Sequence, residues 1–302
     1  MNDVGPLAEC VINISEGRDR QTIDAVCAAG AGTLLDLHSD PEHHRSVLTL
    51  AGPLGNVEDD ARKVVGSAVA RIDLRSHHGI HPRLGAADVV PFVPLVGATS
   101  GWARAIDARD RFARWAGTEL RVPCFLYGPE RSLPDVRRLA FHPLRPDTGP
   151  GTPHPTAGAS AVGVRNVLVA YNVWITEDFA AGADAGGQAT SALAVARSLA
   201  TALRGPGIRS LGLPVAVGAQ VSFNLIEPTS STIVGVFDAV TAGAALRGCS
   251  VIRAELVGLI PETVLHGIPR RRWAELDLSD EQTIEARLTD PGLRTSALPR
   301  SD

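Results

Sequence analysis

Residues 76–88 read Ser-His-His-Gly-Ile-His-Pro-Arg-Leu-Gly-Ala-Ala-Asp, which places three imidazoles, a guanidinium and a carboxylate in one short stretch. Imidazole takes or gives a proton near neutral pH, and a guanidinium offers a planar fork to a carboxylate or phosphate. Proton transfer beside an anion-binding group is the chemistry such a set suits. Pro82 disfavours helix at the residue before it, so His81 is expected on extended backbone, with Gly79 and Gly85 permitting tight turns on either side. A polar loop whose histidines only cap strand ends or face water is the plainer alternative. Clustering beside Arg83 and Asp88 brings the functional reading of His81 closer to level with it.

A second polar group precedes this one: His38, Asp40, His43 and His44, followed by Arg45. Six of the nine histidines lie between 38 and 81, alongside Asp36 and Asp40. This leaves a metal-dependent hydrolase open as an alternative, since the His78/His81 spacing on a loop permits a metal without diagnosing one.

The elements that must hold these loops follow from apolar spacing. Glu9 to Asn13 reads as a strand, the polar turn Ser15 to Arg18 follows, and Asp19 caps a helix from about Arg20 to Ala29 that ends at Gly30 and Gly32. Thr33 to Leu37 and Val47 to Leu50 read as antiparallel strands, and Asn56 or Asp59 starts a helix. The strand Val89 to Leu95, a helix from Thr99 or Ser100 to about Leu120 with Ala103, Ile106, Phe112 and Trp115 inward, and the strand Val122 to Tyr127 complete the first half. Residues 128–165, dense in proline and glycine, suggest a linker or a ligand-binding loop. Arg137-Arg138 and Arg270 to Arg272 are short enough to be solvated faces.

Beyond that loop come the strand Asn166 to Asn172, a helix from about Gln188 to Leu203, the strands Ile208 to Val217 and Ala219 to Leu225, a helix capped by Ser230 or Ser231, and the strand Val251 to Val257. The first half reads β-α-β-β-α-β-α-β and the second repeats β-α-β-β-α-β, so the expected class is α+β with two tandem ferredoxin-like subdomains, mixed sheets with helices on one side. The order of strands within each sheet is not readable from this.

At 302 residues the chain suits two modest domains, and 44% hydrophobic and 21% charged residues are ordinary for a globular protein. A net charge of −4 and the lack of a Lys/Arg block disfavour nucleic acid. Cys10, Cys27, Cys124 and Cys249 form no CxxC pair, so neither a disulfide framework nor a thiolate zinc site is expected. No stretch is long and apolar enough for a membrane span, and no basic leader is seen; a reducing cytoplasm is the expected location.

Over most of its length the chain resembles the glutamate formimidoyltransferase family, the transferase part of formiminotransferase-cyclodeaminase. The resemblance is carried in order by ECVINISEGRDRQTIDAV (9–26), LLDLHSDPEHHRSVLTLAG (34–52), RIDLRSHHGIHPRLGAADVVPFVPL (71–95), VPCFLYG (122–128), PDTGPGTPHPTAGASAVGVRNVLVAYN (146–172), AQVSFNL (219–225) and ELVGLIP (255–261). It implies subdomains at 1–166 and 167–288 with a tail at 289–302. It also implies a homodimer, and small-molecule substrates with tetrahydrofolate as co-substrate held between the subdomains; no metal is expected. The family's HPRxGAxD motif places the catalytic histidine at His81. Its folate loop falls on Pro150, Gly151, Thr152, Pro153, His154, Pro155, Thr156, Ala157, Gly158 and Ala159.

The implied reaction moves a formimidoyl group between amines, from formiminoglutamate to tetrahydrofolate. One imidazole can take the attacker's proton and return it to the leaving nitrogen. Arg45 and Arg83 are candidates to hold a glutamate carboxylate, with His38 and His44 beside them as candidate substrate contacts. The chain departs from the family pattern at His38, His44, His78, Ile80, Pro153 and Ala157. At His38 the family has an acidic residue, at Ile80 a glutamate, and at Pro153 and Ala157 aromatic residues against which a pterin could pack. Alternatives are therefore a diverged member acting on another amine, such as a secondary metabolite, and a non-catalytic folate or ligand binder.

Overall fold

The computed structural model describes residues 6–79, 82–95, 98–178, 191–290 and 292. Leu7–Ile14 (β1) buries Ala8, Cys10, Ile12 and Ile14 in the core. Strand alternation turns Glu9, Val11 and Asn13 to the opposite face. Arg20–Ala29 (α1) follows, and Asp19 caps it by accepting from the Gln21 N–H. Leu34–Asp40 (β2), Arg45–Pro53 (β3), Leu54–Arg71 (α2) and Ala87–Pro94 (β4) complete the β-α-β-β-α-β unit. The strands lie in the order β2-β3-β1-β4 with every neighbour antiparallel, the ferredoxin-like arrangement.

Three further elements extend this sheet. Ala98–Glu119 (α3) packs its buried Phe112 edge to face on Phe92 of β4, ring centres 5.7 Å apart, and leads to Cys124–Tyr127 (β5). Residues 128–165, expected as linker or loop, contain Leu133–Leu139 (α4) and Ser160–Val164 (β6). β6 lies between β4 and β5, parallel to both, which gives a six-stranded mixed sheet. α4 escaped the sequence reading because it is a single short segment set by its Ser132 cap and Pro134 rather than by apolar periodicity.

By density of contacts the chain divides into two units, one ending at Asn166 and resuming at Leu288, the other Val167–Arg287. The second repeats the topology: Leu168–Glu177 (β7), Ala192–Ala202 (α5), Ile208–Pro214 (β8), Ala219–Ile226 (β9), Ser230–Ala245 (α6) and Cys249–Val257 (β10). Its order is β10-β7-β9-β8, antiparallel throughout, so parallel pairing is confined to the first unit. Val221, Phe223 and Leu225 of β9 meet Leu199 of α5 and Val240 of α6 in its core. Two short helices follow, Glu262–His266 (α7) and Ile284–Thr289 (α8).

Several local expectations shift by a residue or a face. α2 begins at Leu54 rather than at Asn56 or Asp59, α3 begins at Ala98, and the cap of α6 is Thr229, which accepts from the Thr232 N–H. Ala103 is exposed, while Ala105 and Ala108 face inward. All four cysteines are buried and free. Among the described residues no helix is long and apolar enough to cross a membrane.

Candidate functional site

Three connections of the first unit meet at one end of its sheet: the turn after β1, the β2–β3 turn, and the long segment between α2 and β4. The first and third are stitched together by backbone. Ser15 donates its N–H to Ala86 O at 2.8 Å and its hydroxyl to Gly85 O at 2.8 Å. Gly85 has to be glycine, because a Cβ there would sit 2.0 Å from Ala159 O. On its other side the same segment is laced to residues 156–159: Ala86 N–H donates to Ala157 O, Ala159 N–H to Leu84 O, and Leu74 N–H to Thr156 O.

The β2–β3 turn is fixed by carboxylates. Asp40 accepts from the backbone of Glu42 and His43 and from the His43 ring. Burial raises the Asp40 pKa, but these bonds outweigh it and hold the carboxyl down at about 2. Glu16 accepts three backbone N–H bonds, from Gly17, Arg18 and Asp19, at 2.8–2.9 Å. Gly17 closes on the β2–β3 turn so tightly that a Cβ would lie 2.3 Å from Asp40 O.

Within this frame sits a small open cleft lined by Asn13, Ser15, Arg45, Pro82, Arg83 and Asp88. Arg45, at the start of β3, donates to Asn13 Oδ1 at the end of β1. Burial pushes its guanidinium down to about 10, against the opposing pull of the Asp88 carboxylate; it remains a cation at neutral pH. Asp88, buried at the start of β4, is committed on both oxygens. Oδ1 accepts from Leu84 N–H at 2.6 Å and Oδ2 from Arg137 Nη2 at 2.6 Å. Arg137 offsets the charge of Asp88, so the cleft lining keeps a positive balance from Arg45 and Arg83.

Arg83 lies against the His77 ring, which donates through Nε2 to His44 O at 3.1 Å. The His44 and His77 rings are 3.9 Å apart, and His44 Nδ1 accepts from Gly17 N–H at 3.2 Å. Burial lowers the pKa of both imidazoles; the Arg83 charge adds to this, and Glu16 opposes it. Both rings are neutral at pH 7 and serve as packing for the Arg83 fork.

The sequence-derived candidates thus separate. Arg45 and Arg83 line the cleft, and His44 supports it from behind through His77. His38 is half-buried in β2 opposite Val47 and does not line the cleft. His81 and Ile80 lie outside the described residues, which resume at Pro82 on the cleft wall. In the segment Pro150–Ala159, Gly151, Thr152, Pro153 and Pro155 are exposed, while Pro150, His154, Thr156 and Gly158 are half-buried. Ala157 and Ala159 are buried at 1% and 0% exposure. The Ala157 methyl belongs to the core. His154 Nδ1 accepts from the Ala157 N–H at 3.0 Å and shapes the turn. Among the described residues no group of three or more His, Cys, Asp and Glu side chains gathers to hold a metal.

Sequence reasoning missed Asn13, Ser15 and Arg137 as site-building residues. The first two stand at a strand end followed by a polar turn, a signal that was available. Arg137 gave none.

Comparison with known proteins adds independent findings. The profile of the formiminotransferase domain, N-terminal subdomain, matches residues 7–165. The glutamate formimidoyltransferase of Streptococcus pyogenes serotype M1 is 33% identical over 285 residues, covering 86% of this chain and 90% of that protein. The glutamate formimidoyltransferase of Thermoplasma acidophilum is 33% identical over 306 residues, covering 92% and 95%. The formimidoyltransferase-cyclodeaminase of Sus scrofa is 32% identical over 283 residues, covering 84% of this chain but 50% of that longer protein.

Proposed function

The chain belongs to the formiminotransferase family and is a formimidoyltransferase; from that premise we propose that it moves a formimidoyl group from formiminoglutamate to tetrahydrofolate. The observation that carries the donor half is the cleft's charge: Arg45 and Arg83 line it while Asp88 is tied to Leu84 and Arg137. A dicarboxylate donor matches two guanidinium groups whose local carboxylate is already committed.

In the proposed reaction the acceptor nitrogen attacks the amidine carbon and a new C–N bond forms. His81 takes the proton from the attacking nitrogen. The tetrahedral carbon then expels the glutamate nitrogen, which receives that proton as the old C–N bond breaks. Arg45 and Arg83 hold the donor's carboxylates, and the neutral His44–His77 pair keeps Arg83 in place. Tetrahydrofolate is the co-substrate, with backbone and exposed residues of Pro150–Ala159 as its proposed contacts. A homodimer is read from the family, and four free buried cysteines suit a reducing cytoplasm.

A second reading keeps the chemistry and changes the acceptor. It is favoured by the loop itself, where the exposed residues Gly151, Thr152, Pro153 and Pro155 offer no aromatic ring for a pterin to stack on. Steady-state assays separate the two. The first expects donor consumption that requires tetrahydrofolate, with Arg45→Ala raising the donor KM about tenfold or more, the loss of one charge-assisted contact. Consumption driven by another amine, and not by tetrahydrofolate, favours the second.

A further inference from the structure

The segment that holds α4 was expected as a linker or ligand-binding loop and Arg137 as a solvated charge, yet this side chain reaches Pro82 and Asp88. Its base is fixed: the preceding residue, Val136, is fully buried and packs with Phe125, Tyr127, Val89 and Ala159. From that base the guanidinium divides between two acceptors on the far segment. Nη2 donates to Asp88 Oδ2 at 2.6 Å and Nη1 to the Pro82 carbonyl at 3.1 Å. Asp88 in turn accepts the Leu84 N–H at 2.6 Å. The segment 82–88 is closed by one cation and one carboxylate, and its first residue, Pro82, directly follows His81 in sequence.

We infer that Arg137 is a positioning residue for the proposed transfer, fastening the His81 loop by a two-point bridge between Pro82 O and Asp88. Two properties of guanidinium are used at once. Its planar fork fixes the angle between the two acceptors, which a lysine ammonium on a flexible stem does not. Its charge also pairs with Asp88 and offsets the pull of that carboxylate on the neighbouring Arg45. Loop geometry and cleft charge are therefore separable contributions, one governing turnover and the other governing donor affinity.

The kinetic part of the test rests on the transferase reading, whereas the exchange part does not. Arg137→Ala, Arg137→Lys, Arg137→Gln and the control Arg138→Ala are compared with the unaltered chain. Arg138 is exposed and pairs locally with Asp135. Hydrogen exchange of peptides spanning 77–88 is expected to speed up at least tenfold in Arg137→Ala, with peptides from 219–226 unchanged. In the transfer assay Arg137→Ala is expected to lose both kcat and donor affinity. Lysine restores the KM but not kcat, glutamine restores part of kcat but not the KM, and Arg138→Ala changes neither. Unchanged exchange at 77–88 in a folded Arg137→Ala chain overturns the inference, as does equal loss of kcat and KM in all three Arg137 variants. If the unaltered chain transfers nothing while the exchange result holds, the transferase reading fails and the fastening stands.

Discussion

The two units share the β-α-β-β-α-β motif, and one connection within that motif differs sharply between them. Between the second helix and the last strand of the four-strand motif, the first unit spends residues 72–86, while the second spends residues 246–248. The short version is a turn around Gly248, at φ +69°, with Leu246 turned out to solvent. The long version holds a 3-10 turn, three histidines, two arginines, and the backbone stitching to Ser15 and residues 156–159. The ferredoxin-like sheet is a scaffold in both cases, and the candidate cleft of the first unit is completed by residues of its lengthened connection, Pro82 and Arg83.

The most direct way to break this contrast is to remove the proposed proton carrier from the long connection. His81→Ala is expected to lower turnover by about 10²–10⁴-fold with an unchanged melting temperature, the usual reach of a general acid–base group. Turnover within twofold of the unaltered chain would take His81 out of the mechanism.

Next in size is the stitching. Gly85→Ala forces a methyl into Ala159 O, so the loop must shift away from residues 156–159. A loss of roughly 1–3 kcal/mol by chemical denaturation, as for overpacked sites, is expected together with a fall in turnover. The same exchange at Gly248, where a Cβ meets nothing within 4 Å, strains only the positive φ and should leave turnover alone.

Acid sensitivity sharpens the contrast further, because His44 and His77 belong to the first unit. Their folded-state pKa values lie below the ordinary 6.5. As pH falls through 6.5 the unfolded chain binds protons that the folded chain refuses, so stability is full above that pH and declines below it. Denaturation midpoints measured between pH 7 and 5 should fall, and His44→Asn should flatten the slope. A slope unaffected by the substitution would assign the acid sensitivity elsewhere.

The second unit carries its own anomaly. On the face of its sheet away from α5 and α6, Gln220 is fully buried and pairs in register with Trp174. Neither the Gln220 amide atoms nor Trp174 Nε1 has a hydrogen-bond partner among the described residues. An unmet buried amide costs about 1–3 kcal/mol, so Gln220→Met is expected to raise the melting temperature by a few degrees. A fall would mean that the amide is satisfied in solution.

What could be read in the sequence was what is local. The stretch 76–88 stood out because its reactive side chains are neighbours in the chain, and both β-α-β-β-α-β patterns were legible because apolar spacing marks each element. Long-range pairing was not: nothing in Ser160–Val164 says that it enters between β4 and β5. Arg137 was misread as solvated because its value depends on where α4 docks. That Ala157 is buried was not readable either, because a loop's composition does not tell which of its residues turns inward to the core.

The account stands or falls on the fate of one carbon. Formiminoglutamate labelled with ¹³C in its formimidoyl carbon, incubated with the protein and tetrahydrofolate and followed by mass spectrometry, should yield unlabelled glutamate and a folate that has gained the labelled formimidoyl group. Label recovered on water-derived products, or left on the donor while tetrahydrofolate is unchanged, would contradict it.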